Sequence, residues 1–187
     1  MSLIDYSLEL FPPKTPKGEK AFWQVVSEHA KLNPAFMTVT YGAGGGSRDH
    51  TRAIVTELSR KYTIPIAAHL TCVGAPKKEI DAIADDFWQA GIRHIIALRG
   101  DMPHEAEYQP FQNGYAYASD LVSGLKKRHD FEISVAAYPE CHPDAPSESF
   151  DLSYLKKKLD AGASQAITQF FFDPEVYLRF RDRAVKK

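Results

Sequence analysis

The sequence predicts an α/β chain rolled as a (β/α) barrel, and three observations carry that expectation. Apolar strand-like runs alternate strictly with stretches of helical periodicity, six times over. The connections are short, so consecutive strands must run parallel with right-handed crossovers, either in a doubly wound sheet or in a barrel. Every strand also ends in polar residues: Glu9, then Thr40 and Tyr41, His69 and Thr71, Arg99 and Asp101, Tyr138 and Glu140, and finally Thr168 and Gln169. A doubly wound sheet gathers its site mainly at one switch point, whereas all strands of a barrel aim their carboxyl ends at a common mouth. Polar ends on all six strands favour the barrel.

Ser7 to Phe11 reads as the first strand, closed by Pro12 and Pro13, which cannot continue a ladder. Phe22, Val25, Val26 and Ala30 then recur at helical spacing until Asn33 and Pro34 end the helix. Phe36 to Tyr41, β-branched and aromatic, is the second strand; after Gly42 to Gly46, Ser47 and Asp49 mark a helix with Ile54, Val55 and Leu58 inward. Ile64 to Thr71 is the third strand, and Pro76 precedes a helix that buries Ile80, Ile83, Ala84 and Phe87. Ile95 to Leu98 is apolar without alternation, as a strand buried on both faces is, and its character changes at once to Arg99, Gly100 and Asp101.

Met102 to Gly114 is the longest irregular segment, and such a loop inside a compact domain is more often functional than idle. It leads into a helix holding Ala118, Leu121, Val122 and Leu125 inward. Glu132 to Tyr138 is the fifth strand, followed by the polar loop Pro139 to Pro143 and a helix with Leu152, Leu155 and Leu159 inward. Ala166 to Phe171 is the sixth strand, and Asp173 with Pro174 caps a last helix carrying Val176, Phe180 and Val185. Repeats, low-complexity tracts and linkers are absent, so residues 1–187 form a single domain. A closed barrel takes eight units and about 250 residues. Six units therefore make a barrel that is incomplete at its C-terminal side.

With 23 basic against 24 acidic residues, no global field recruits nucleic acid or an anionic membrane. Cys72 and Cys141 are too few for a disulfide framework and suit a reducing compartment. Asp5 and Glu9 interrupt the N-terminal apolar run, and no stretch approaches the roughly 18 apolar residues of a membrane span. A cytoplasmic protein that handles small molecules is expected.

The glycine loop Gly42 to Ser47 has the look of a dinucleotide fingerprint, but Ser47 stands at its third glycine position, and a mouth loop approaching a ligand closely is the better reading. Glu9, set among Leu8, Leu10 and Phe11, is expected to be partly desolvated; that raises a carboxyl pKa and suits a general acid, although an edge residue paired with lysine would look the same. His69 lacks the HxH or HExxH company of a metal ligand, so it is either a satisfied core histidine or a hydrogen-bonding contact to a ligand. No lysine falls at a strand end, which disfavours Schiff-base chemistry. Arg99 is suited to clamping phosphate, or simply pairs with Asp101. Of Lys156, Lys157 and Lys158 on one helix, only one is expected to turn inward. The aromatic residues Tyr41, Tyr115, Tyr117, Tyr138, Phe170, Phe171 and Phe172 are core by default, and some would wall a flat heteroaromatic ligand.

Six segments, in order along the whole chain, are similar to one family. They are Leu8-Glu9-Leu10-Phe11-Pro12-Pro13, Val39-Thr40-Tyr41-Gly42-Ala43, Ala68-His69-Leu70-Thr71-Cys72, Ala97-Leu98-Arg99-Gly100-Asp101, Ala137-Tyr138-Pro139-Glu140 and Ile167-Thr168-Gln169-Phe170-Phe171-Phe172-Asp173. Together they resemble methylenetetrahydrofolate reductase. The resemblance implies an eight-stranded barrel with FAD in its mouth, reduced by NADH or NADPH and passing a hydride to 5,10-methylenetetrahydrofolate. The product is 5-methyltetrahydrofolate, which feeds methionine synthesis, and the substrates take turns in a ping-pong scheme.

It further implies that Glu9 is the general acid that opens the methylene bridge and that Asp101 is the carboxylate near both flavin and folate. FAD would be held by Thr40, Tyr41, Ala43, His69, Arg99, Gly100, Asp101, Ala118, Tyr138, His142, Ala145, Asp151, Tyr154, Lys157 and Lys158. Gln169 would touch folate and nicotinamide, and Tyr154 stands where the family holds a smaller amide. A homo-oligomer is the expected assembly. Family members continue past Lys187 with two more units; a molecule ending there exposes the edges of its first and sixth strands and is expected to keep most flavin contacts while turning over poorly. Without the resemblance, the same residues also suit another barrel enzyme that holds a phosphorylated small molecule on Arg99 and the glycine loop, or a non-catalytic barrel fragment.

Overall fold

The computed structural model describes residues 5–41, 48–101 and 108–187. Its elements alternate without exception: β1 (Ser7–Leu10), α1 (Pro16–Ala30), β2 (Phe36–Val39), α2 (Arg48–Lys61), β3 (Ile66–Thr71), α3 (Lys77–Gln89), β4 (His94–Leu98), α4 (Ala118–Arg128), β5 (Glu132–Ala137), α5 (Glu148–Asp160), β6 (Gln165–Thr168) and α6 (Pro174–Val185). The six strands form one sheet in the order β1-β2-β3-β4-β5-β6, and every neighbouring pair is parallel. That order settles the choice left open by the sequence. A doubly wound sheet reverses its strand order at a switch point, and here each strand lies beside its predecessor throughout. The result is the greater part of a barrel wall.

The register shows the stagger that rolls such a wall. Glu9, the third residue of β1, aligns with Thr38, Thr38 with Ala67, Ala67 with His94, and His94 with Glu132, the first residue of β5. The strands therefore step relative to one another, as tilted barrel strands must.

Because side chains alternate along a strand, the sheet has two unlike faces. Met37, Val39, Ala68, Leu70, Ile95, Ala97, Ile133, Val135 and Ala137 share one buried cluster with Val26 of α1, Leu58 of α2, Phe87 of α3, Leu121 of α4 and Leu155 of α5. Each large side chain fully buried there, such as Phe87 or Leu58, contributes about 1.5–3 kcal/mol by leaving water. The intervening residues face the barrel interior, and among them Thr38, His69, Thr71, His94 and Ser134 are buried. Below the mouth, His94 Nε2 and Ser134 Oγ lie 2.7 Å apart, and burial holds the His94 pKa below its ordinary value.

Helix starts follow their capping chemistry. Thr15 accepts from Gly18 N–H ahead of Pro16, Ser147 accepts from Phe150 N–H, and Asp173 accepts from Glu175 N–H ahead of Pro174. Ser47, expected to mark the start of α2, lies outside the described residues. Strands end earlier than expected towards the mouth: β1 before Phe11, β2 before Thr40, β5 before Tyr138 and β6 before Gln169. Three helix positions expected inward face solvent, namely Val25, Leu159 and Val185. Val25 sits one step round the helix from Val26, which takes the core position. At the sheet margin β6 has a neighbour on one side only, so Phe170 and Phe172 are 79% and 90% exposed rather than core.

Candidate active site

The carboxyl ends of the strands build one polar mouth, and the densest part of it forms around Arg99 after β4. Arg99 Nη1 donates to Asp144 Oδ2 at 2.9 Å, and Asp101 Oδ1 stands at 4.0 Å from Nη2. The guanidinium lies 4.7 Å from the ring centre of Tyr108, and Nε donates to Gly100 O at 3.3 Å. The hydrogen bond from Arg99, reinforced by its charge, holds the Asp144 carboxyl below its usual range. Asp101 itself is 99% exposed, so its carboxylate reaches outward with Arg99 only loosely beside it. Gly100 is required here: its φ is +85°, and a Cβ would meet Val73 Cγ1 at 2.5 Å and Thr71 Cβ at 2.9 Å.

The loop after β5 closes against the same cluster. Tyr138 and His142 pack edge to face with ring centres 4.5 Å apart, His142 N–H donates to Asp151 Oδ2 at 2.9 Å, and Asp144 N–H donates to His142 Nδ1 at 3.0 Å. Ala145 N–H donates to His142 O at 2.9 Å, tightening that turn. Burial pushes the Tyr138 phenol up, with a hydrogen bond from the Gln169 side chain and the Arg99 charge pulling the other way. Gln169 is placed by its own backbone, which donates to Ala137 O at 2.8 Å.

Of the three consecutive lysines on α5, only Lys158 turns inward, donating to Ala136 O at 2.6 Å, and burial lowers its pKa against the opposing pull of Asp151. Lys156 pairs outward with Asp160 at 3.2 Å, and Lys157 lies 4.4 Å from the Tyr154 ring centre. Tyr154 meets Tyr117, the residue before Ala118 and α4, at 5.9 Å.

The other side of the mouth is built from β1 to β3. His69 Nε2 is 3.5 Å from Glu9 Oε1, short of hydrogen-bond geometry, and both His69 Nε2 and Thr38 Oγ1 are buried without a hydrogen-bond partner. Burial, aided by His94, drives the His69 pKa down to about 4, so the ring is neutral. Thr40 continues the ladder by donating to Leu10 O at 3.0 Å, and Tyr41 packs on the core cluster. Glu9 is a correction to the sequence reading: its side chain is 51% exposed, because Leu8 and Leu10 belong to the opposite face of the strand and shield nothing around it. Ala43 and the whole glycine loop, Gly42 to Ser47, lie outside the described residues.

A family model for methylenetetrahydrofolate reductase matches residues 2–187. The chain belongs to the methylenetetrahydrofolate reductase family. It is 50% identical over 182 residues to the 5,10-methylenetetrahydrofolate reductase of Pectobacterium carotovorum subsp. carotovorum, covering 97% of this chain and 59% of that protein. Identity is again 50% to the Escherichia coli (strain K12) enzyme, of which 60% is covered. Methylenetetrahydrofolate reductase (NADH) 1 of Arabidopsis thaliana is 37% identical over 187 residues, with 32% of its length covered. The chain thus spans less than two thirds of the curated relatives it matches.

Among solved structures, a phosphonopyruvate hydrolase in complex with oxalate and Mg superposes with a TM-score of 0.69 at 10% identity, over 95% of this chain and 63% of that one. The deoxyribose phosphate aldolase of Aeropyrum pernix gives 0.60 at 19% identity, over 97% of this chain and 71% of that one. Likeness at such identity concerns the fold alone.

Within the reductase family frame, two parts of the mouth escaped sequence reasoning. Asp144, the tightest partner of Arg99, sits 45 residues away in a loop that reads only as polar, and its signal was a lone carboxylate near His142. Tyr108, beneath the guanidinium, lies in the long loop whose length alone marked it as functional. No helix among the described residues is long and apolar enough to cross a membrane.

Proposed function

We propose that this chain supplies the flavin-holding mouth of a reductase that converts 5,10-methylenetetrahydrofolate to 5-methyltetrahydrofolate with NADH or NADPH as reductant. The observation that carries this is the convergence, in a member of the methylenetetrahydrofolate reductase family, of Glu9, Arg99, Asp101, Tyr138 and Gln169 on one barrel mouth. The residues fit FAD. Arg99 and the inward Lys158 offer cations to a pyrophosphate, and Tyr138 and His142 offer an aromatic wall, with His69 among the holding residues. Thr40, Tyr41, Ala43, Gly100, Ala118, Ala145, Asp151, Tyr154 and Lys157 complete the proposed holding set.

When bound, FAD supplies two-electron transfer between a nicotinamide and a folate that occupy the mouth in turn. The chain's own part is binding and proton supply. Asp144 and Tyr108 hold Arg99 in place, Asp101 presents an exposed carboxylate to the incoming substrate, and Gln169 offers an amide to folate or nicotinamide. Glu9 delivers a proton to the folate nitrogen released as the methylene bridge opens.

The test is spectroscopic. Purified with FAD, the protein should be yellow, bleach on addition of reduced nicotinamide and regain its colour on addition of methylenetetrahydrofolate. A protein that stays colourless after FAD is supplied refutes the proposal.

A further inference from the structure

Resting on the reductase reading, we infer that His69 is a positioning residue for Glu9: its ring donates from Nε2 to Glu9 Oε1 and so leaves the other carboxyl oxygen to carry the transferable proton. Three observations lead there. His69 Nε2 and Glu9 Oε1 are already 3.5 Å apart on the inner face, and Glu9 is half exposed, so its side chain has room to rotate towards the ring. The nitrogen is buried and has no other hydrogen-bond partner, a state that costs about 1–3 kcal/mol unless a polar atom answers it. Glu9 aligns with Thr38, whose hydroxyl is also buried and unpartnered, so two orphaned polar atoms face the interior beside this one carboxyl group.

The charge of the ring decides what such a contact does. A histidinium beside Glu9 would stabilise the carboxylate strongly and weaken it as an acid, whereas a neutral N–H donor orients the group at a much smaller penalty. The surroundings keep the ring neutral. Burial works against its charge, and His94, the other titratable group that acts on it, pushes in the same direction. Glu9 is the only carboxylate paired with it among the described residues.

The ring nitrogens of His69 report the arrangement directly. In ¹⁵N-labelled full chain at pH 7, NMR should show a neutral ring protonated on Nε2, and Glu9→Leu should shift that tautomer balance. A ring that is doubly protonated at pH 7, or that carries its proton on Nδ1, overturns the inference whether or not the protein is a reductase. In the flavin-loaded protein, His69→Leu should slow flavin reoxidation by methylenetetrahydrofolate at least about thirtyfold more than it slows flavin reduction by nicotinamide. His69→Gln, which restores a neutral N–H donor, should recover most of that loss. Equal slowing of both half-reactions in His69→Leu would make His69 a cofactor holder only. Wild-type protein that nicotinamide cannot reduce would instead break the reductase reading and leave the NMR result to decide this one.

Discussion

On the helix-facing side of the sheet, Met37, Leu70, Ile95 and Ile133 are sealed in one apolar cluster with Leu58, Phe87 and Leu121, whereas the concave side of the same strands carries Thr38, His69, Thr71, His94 and Ser134. Both sets are buried, yet only the first gains from leaving water. The second costs stability wherever a polar atom lacks a partner, as at Thr38 Oγ1 and His69 Nε2. A protein keeps such a face when something else uses it, and the mouth lies directly at its end. Alternation along each strand thus divides the residues that hold the fold from the polar face on which the proposed site is built.

The largest effect that would break this division belongs to the helix-facing side. Phe87→Ala empties a fully buried site and should lower the unfolding free energy by about 3–5 kcal/mol, measured by urea denaturation at fixed pH. Its cost should be the same from pH 7 to pH 5, because no titrating group is involved.

The concave face should show the opposite signature, a dependence on pH. The His69 pKa falls from the ordinary 6.5 to about 4 in the folded chain, so the unfolded chain binds more protons between those values. Stability contributed by the neutral ring is therefore present above pH 6.5 and drains away as pH falls towards about 4. The loss is on the order of 3 kcal/mol from His69, and His94, also lowered by burial, adds to it with the same sign. Asp85 and Asp144, held low by Arg128 and Arg99, stabilise above the ordinary carboxylate value of 3.8 and lose their contribution only below it. They leave the window clear. His69→Gln should flatten the stability curve between pH 6.5 and 4, and a slope unchanged in that variant would mean the ring is not held neutral by the fold.

Much of this architecture was legible from periodicity. Strict alternation of units and six polar strand ends are local properties, and the sheet order β1 to β6 follows from them once each strand lies beside its predecessor. What periodicity does not encode is which distant groups meet. Arg99 finds Asp144 across 45 residues, and the bond depends on how the loop after β5 folds back over the mouth. Nor does sequence proximity equal surroundings: Leu8 and Leu10 flank Glu9 in the chain but point the other way, so the expected desolvation is absent and the side chain is half exposed. Phe170 and Phe172, core by default in the sequence, are exposed for a related reason, since β6 has a neighbouring strand on one side only.

The smallest expected effect on the fold is the most telling for the chemistry. Glu9→Gln alters a half-exposed side chain by one atom and should change the unfolding free energy by less than about 0.5 kcal/mol. In the flavin-loaded protein, stopped-flow absorbance should show flavin reduction by nicotinamide unchanged and reoxidation by methylenetetrahydrofolate abolished, because only the second step draws on the Glu9 proton. Reoxidation at the wild-type rate, or equal loss of both steps, would contradict the account of the mouth given above.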